Sequence, residues 1–195
     1  MKKLLVVFLV IIAPLLAYAQ ETEKDSVGGF LHGQGWMCII KAPEGWILDN
    51  QSWVDNGIDA MFYPKGTSLS DDGASFPPII YFNSAWLEDA TDEGLKAYFD
   101  KDIRLHEERD SATLKERKIE ISNFEKYYCL DLEYKNNGQQ ETIVYLRFLD
   151  GVHLVVLTTP AKAPHENYIP QLIEAVGNMK FIQKADNPPV DGATD

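Results

Sequence analysis

The sequence predicts an α+β fold, a mainly antiparallel sheet flanked by two helices, and three observations carry that prediction. Four apolar or alternating runs of strand length, 113–122, 126–134, 140–149 and 152–160, follow one another with short connections. The last connection is the two-residue Asp150-Gly151. Asp-Gly between apolar strands is a strong hairpin signal, because both central residues of such a turn must tolerate positive φ. Two other stretches, 91–109 and 164–182, repeat their apolar residues at helical spacing.

Taken in order, Met1-Lys2-Lys3 precedes an apolar run from Leu4 to Ala19 that contains Pro14 and ends in Ala17-Tyr18-Ala19. This is the pattern of a secretory signal peptide, residues 1–19, cleaved after Ala19. The run has 16 residues, and a spanning helix needs about 20. No second apolar run follows, so no membrane span is expected after cleavage, and the address is periplasmic or secreted. Removing the leader lowers the basic residues from 18 to 16 against 30 acidic ones, a net charge of −14. Such a surface repels phosphate backbones, which argues against nucleic acid and leaves neutral or basic proteins as electrostatically acceptable partners.

Residues 20–35, polar and then glycine-rich, are expected to be a flexible lead-in. Their glycines do not make a phosphate loop, which requires a strand before it and a helix after it. Residues 36–182 are read as a single domain. Within it "WMCIIK" (36–41) is a strand and "APEGW" (42–46) a turn into a further short segment. "GIDAMFYP" (57–64) and "PPIIYFNSAW" (77–86) are strands, separated by a loop of turn formers at 65–77. Residues 183–195, with a Pro pair among polar residues, are expected to form a disordered tail.

The helix at 91–109 has Thr91 as N-cap, Asp92 and Glu93 at the positive end of its dipole, and Phe99 and Ile103 on its inward face. The closing helix carries Ile169, Leu172, Ile173 and Val176 on one face. Pro170 is tolerated only near its first turn, and Gly177 is placed to end it.

"APEGW" (42–46), "HLVVLTTPAKAPHENYIPQLIEAVGNMKF" (153–181) and the element order between them give the chain a pattern that resembles the PsbP-like fold over 36–182. That fold is an α/β/α sandwich shared by photosystem II extrinsic subunits, Ran-binding Mog proteins, bacterial DcrB-type envelope proteins and some type VI effector chaperones. The resemblance implies architecture first, and a common theme of protein binding or assembly rather than catalysis. It supplies no shared site motif, so no functional residue is carried over.

The sequence contains no C-x-x-C, H-E-x-x-H, G-x-S-x-G or EF-hand spacing, and it calls for no cofactor, no metal and no catalytic set. Each of the four histidines, His32, His106, His153 and His165, reads as structural, although residues distant in sequence can converge in a fold. Cys38 and Cys129 lie in predicted strands. They either form a disulfide closing a loop of about 91 residues or remain two buried thiols.

The binding candidates are tryptophans beside acids. Trp86 is followed by Glu88, Asp89, Asp92 and Glu93, and Trp53 lies in a polar turn. Tryptophan inside a polar rim is the makeup of an interface hot spot. The competing reading makes Trp86 a cap on the core beneath the helix, which the usual burial of Trp favours. Trp46 is expected to pack. The leading expectation is therefore an exported, non-enzymatic binding or accessory protein. Its contact surface would comprise the 65–77 loop, Trp53, Trp86 and the acidic entry to the helix. The alternatives are an immunity protein or chaperone for a secreted toxin, and a hydrolase whose site forms only in the fold.

Overall fold

The structure, a computed structural model, describes residues 27–33, 35–50, 57–67, 76–109 and 111–183. Among the described residues the chain runs β1 (Gly28–Gly33), β2 (Trp36–Lys41), β3 (Trp46–Asp49), β4 (Ala60–Pro64) and β5 (Ile79–Trp86). It continues through α1 (Asp92–Arg109), β6 (Ala112–Glu116), β7 (Tyr127–Tyr134), β8 (Gln140–Phe148) and β9 (Gly151–Thr159). A 3-10 turn (His165–Tyr168), α2 (Ile169–Gly177) and β10 (Lys180–Gln183) close it. The fold is α+β, with antiparallel pairing at every junction of a seven-stranded sheet ordered β3-β4-β5-β9-β8-β7-β6.

Period-2 alternation divides the large sheet into two buried faces. In β8, Ile143 and Tyr145 join the core beneath α1, whereas Val144 and Leu146 join the core on the opposite side. The α1 side is organised by Leu95 and Phe99, both essentially fully buried. The Phe99 ring stacks on Tyr128 at 4.8 Å and meets Tyr145 edge-on at 5.1 Å. Ile103 lies half-buried at the edge of the same cluster. Thr91 caps the helix as expected, accepting a hydrogen bond from the Gly94 N–H at 3.1 Å.

The opposite face differs from the expectation of one sheet between two helices. It is covered by α2 together with a second, three-stranded sheet ordered β1-β2-β10. β2 leaves the large sheet because its inward residues Trp36, Cys38 and Ile40 pack down onto that sheet's core rather than pairing along its edge. The flexible lead-in expected over 20–35 is also corrected from Gly28 onward. Residues 28–33 pair in register with β2, from Gly28 opposite Lys41 to Gly33 opposite Trp36, because Leu31 buries an apolar side chain there. Residues 20–26 of that lead-in and the signal peptide 1–19 lie outside the described residues. So does the expected tail, apart from Gln183, which ends β10.

Two local expectations shift. The run 113–122 forms a strand only to Glu116; the Arg117 N–H still donates to the Cys129 carbonyl at 2.9 Å, while its guanidinium holds Asp131, with Nε 2.7 and 2.8 Å from the two carboxylate oxygens, and also Glu166. The β8–β9 hairpin turns on Leu149-Asp150 rather than on Asp150-Gly151. Phe148 faces Gly151 in register, and Leu149 takes the positive φ of 53°. A Cβ at Gly151 would lie 3.0 Å from Nε2 of His153, a tight contact that requires that ring to give by a few tenths of an ångström.

The "APEGW" turn packs as read, with Trp46 buried and edge-on to Tyr168 at 6.3 Å. Pro170 falls in the first turn of α2, and Gly177 ends the helix. Cys38 and Cys129 are both buried and free, so of the two readings left open the structure holds the pair of thiols. Burial pushes each thiol up to about 12. No helix among the described residues is long and apolar enough to cross a membrane.

Candidate functional site

β5 delivers the site. Its alternation sends Tyr81 and Ala85 toward α1, and Phe82 and Ser84 toward the small sheet. The next residue on that second face is Trp86, which pairs with Gly151 and so has no cross-strand side chain to pack against. Trp86 is accordingly 58% exposed. The core-cap reading of this residue therefore fails, for a stereochemical reason: its neighbour Leu87, 8% exposed, points to the other face and fills the space beneath α1. The Leu87 N–H donates to the Asp150 carbonyl at 2.8 Å, which fixes the end of β5 to the β8–β9 hairpin and so fixes where the indole stands.

Trp86 borders two concavities. The first is a groove of about 430 Å³ running to the start of α1, lined by Trp86, Glu88, Asp89, Glu93, Tyr98 and Lys101 among others. Four of the sequence-predicted site residues, Trp86, Glu88, Asp89 and Glu93, are thus brought together, and the three acids are exposed. Asp92 is not part of this wall. Its carboxylate is turned to Arg147, with Nη2 3.0 Å from Oδ1. Trp53 and most of the 65–77 loop lie outside the described residues.

The second concavity was not legible in the sequence. It is a crevice of about 200 Å³ between the ends of β5 and β9 and the overlying small sheet, with Asp59, Ser84, His153, Trp36 and Trp86 in its walls. Ser84 and His153 are direct cross-strand partners, and Ser84 Oγ lies 3.1 Å from His153 Nδ1 and 3.0 Å from Asp59 Oδ2. Asp59 is brought in by its own N–H, which donates to the Phe82 carbonyl at 3.0 Å and leads the chain into β4. Trp36 lies edge-on to the His153 ring at 4.5 Å, with Phe181 at 4.6 Å from the same ring. Gly33 is required here, because a Cβ on it would sit 2.1 Å from Cε2 of Trp36.

The electrostatics follow from burial. His153 is 2% exposed, and removal from water pushes it down to about 4, so it is neutral at ordinary pH. Among the described residues its Nε2 is buried without a hydrogen-bond partner. Asp59 is exposed at the lip. Its wall raises the carboxyl above the usual range, and the hydrogen bond from Ser84 opposes that rise.

Serine, histidine and aspartate converge here, yet the bonding order is Asp59–Ser84–His153. In a nucleophilic triad the histidine stands between the serine and the acid, so that the acid orients the ring and stabilises the imidazolium. Here the carboxylate reaches the hydroxyl, and among the described residues no acid hydrogen-bonds the second ring nitrogen. A base whose conjugate acid titrates near 4 also removes a hydroxyl proton poorly at neutral pH. Among the described residues no group of three or more His, Cys, Asp or Glu could hold a metal ion.

No protein-family model matches the chain, and no curated protein matches it. Among solved structures it is similar to a protein of Bacteroides thetaiotaomicron solved at 1.50 Å, with 10% identity and a TM-score of 0.46 over 83% of this chain and 50% of that one. It spans half the length of that protein. It is also similar to the cyanobacterial PsbP of Synechocystis sp. PCC 6803, with 12% identity and a TM-score of 0.42 over 80% of this chain and 92% of that one. Both are likenesses of fold alone, and no residue role attaches to either.

Proposed function

We propose that this is an exported, non-enzymatic accessory protein that binds another protein through the surface around Trp86. The observation that supports the reading is the placement of that indole: 58% exposed, held at a fixed strand end, between two concavities, and beside Glu88, Asp89 and Glu93. A rigid aromatic anchor with a polar rim is how binding energy is concentrated at interfaces. The excess of acidic residues selects a neutral or basic partner and speeds its encounter. Export to the periplasm or beyond is supported by the leader pattern of residues 1–19.

The bonding order in the Asp59–Ser84–His153 crevice is why binding is preferred over hydrolysis. Parallel pull-downs from envelope extract test the reading, with the wild-type mature chain, Trp86→Ala and Glu88→Lys/Glu93→Lys as baits. Wild type should retain a protein that both variants lose, at melting temperatures within a few degrees of one another. The same proteins held at the same yield by Trp86→Ala would defeat it.

A further inference from the structure

We propose that the crevice between Trp86 and Asp59 receives the guanidinium group of an arginine side chain, presented by the partner protein. This rests on the binding role of Trp86 and specifies what that surface recognises.

Its chemistry is that of a cation receptor. Asp59 is exposed at the lip, and among the described residues no Lys, Arg or His pairs with it. Among the described residues its one side-chain hydrogen bond, from Ser84, engages Oδ2, and none engages Oδ1. A charged group therefore faces the cavity with acceptor capacity unspent. Flanking it is the exposed Trp86 indole, and tryptophan is the strongest aromatic partner for a cation. The floor is His153, which is neutral and so offers the incoming charge no repulsion. The net charge of −12 draws a basic surface toward the molecule as a whole.

Size and shape narrow the ligand. At about 200 Å³ the crevice is smaller than the roughly 300–1,000 Å³ of sites that enclose drug-sized molecules, which favours one side chain over a free metabolite. Arginine is chosen over lysine because its planar fork can place two N–H donors on a carboxylate while its face lies against an indole. An ammonium is a compact, strongly hydrated point charge that gains less from either wall.

The test is a titration of the folded, 15N-labelled chain with N-acetyl-arginine methylamide, reading the indole N–H resonances of its four tryptophans. The Trp86 and Trp36 signals should move saturably. The citrulline analogue, neutral and nearly the same shape, should leave them in place, and the lysine analogue should bind several-fold more weakly. Asp59→Asn should weaken the arginine probe at least tenfold, and Trp86→Ala serves as the second variant should Asp59→Asn lose its fold. Equal shifts with citrulline, equal binding of lysine, or an unchanged titration in folded Asp59→Asn would overturn the proposal. The two readings fail separately. Partner capture lost in Trp86→Ala without arginine binding removes only the arginine assignment, whereas Asp59-dependent arginine binding with capture intact in Trp86→Ala removes only the protein-binding reading.

Discussion

Ser84 and His153 stand opposite one another on adjacent strands, Oγ to Nδ1 at 3.1 Å, although 69 residues separate them in the chain. The contact joins the end of β5 to the start of β9 inside the crevice. The serine carries the bond on to Asp59, and the ring is held from above by Trp36 and Phe181.

Burial of His153 gives stability a pH dependence of known sign. The folded-state value is pushed down to about 4 from an unfolded value of 6.5, so between those limits the unfolded chain binds more protons. Stability is therefore full above pH 6.5 and falls as pH drops toward 4. At about 1.36 kcal/mol per pKa unit the loss is roughly 3 kcal/mol. Urea unfolding of wild type and His153→Phe at pH 7.0 and 4.5 isolates this contribution. The variant should lose markedly less on acidification, and equal losses in the two proteins would contradict it.

Gly33→Ala should remove the seat of Trp36, because its Cβ would fall 2.1 Å from Cε2 of the indole. Forcing the ring aside costs about 1–3 kcal/mol, as for other overpacked sites. The melting temperature should fall and the near-UV circular dichroism of the tryptophans should change. An unchanged spectrum would mean that the indole does not lie across that glycine.

Phe99→Ala should cost about 3–5 kcal/mol, the range for a fully buried aromatic, because its ring is shared between Tyr128 and Tyr145 on the α1 side. Trp86→Ala, by contrast, should change stability by no more than about 0.5 kcal/mol, as is usual for an exposed side chain away from the core. Chemical denaturation of the two variants side by side checks both statements, and a large loss in Trp86→Ala would return that residue to the core.

Cys38 and Cys129 should be slow to react with a thiol reagent in the folded protein, since both are buried and burial holds each thiol up at about 12. Unfolded without reductant, the chain should release two thiols per molecule. No free thiol under those conditions would mean that the two are bonded.

The amino-acid sequence by itself determined the local structure. The apolar alternation of residues 126–160, the helical spacing and N-cap of 91–109, and the turn at "APEGW" are short-range signals, and each appears where the chain writes it. The acids beside Trp86 were also legible, because they are neighbours in the chain that meet at a helix entry.

Pairing and direction were decided only by the tertiary structure. That β1, β2 and β10 separate into a sheet of their own depends on which core their inward side chains fill, not on their local periodicity. Trp86 and Leu87 are adjacent apolar residues, and the register of β5 on β9 decides that the first faces solvent and the second lies beneath α1. The same register makes Ser84 and His153 partners. A one-residue slip along a strand exchanges its two faces, so the crevice exists only once long-range packing has fixed that pairing.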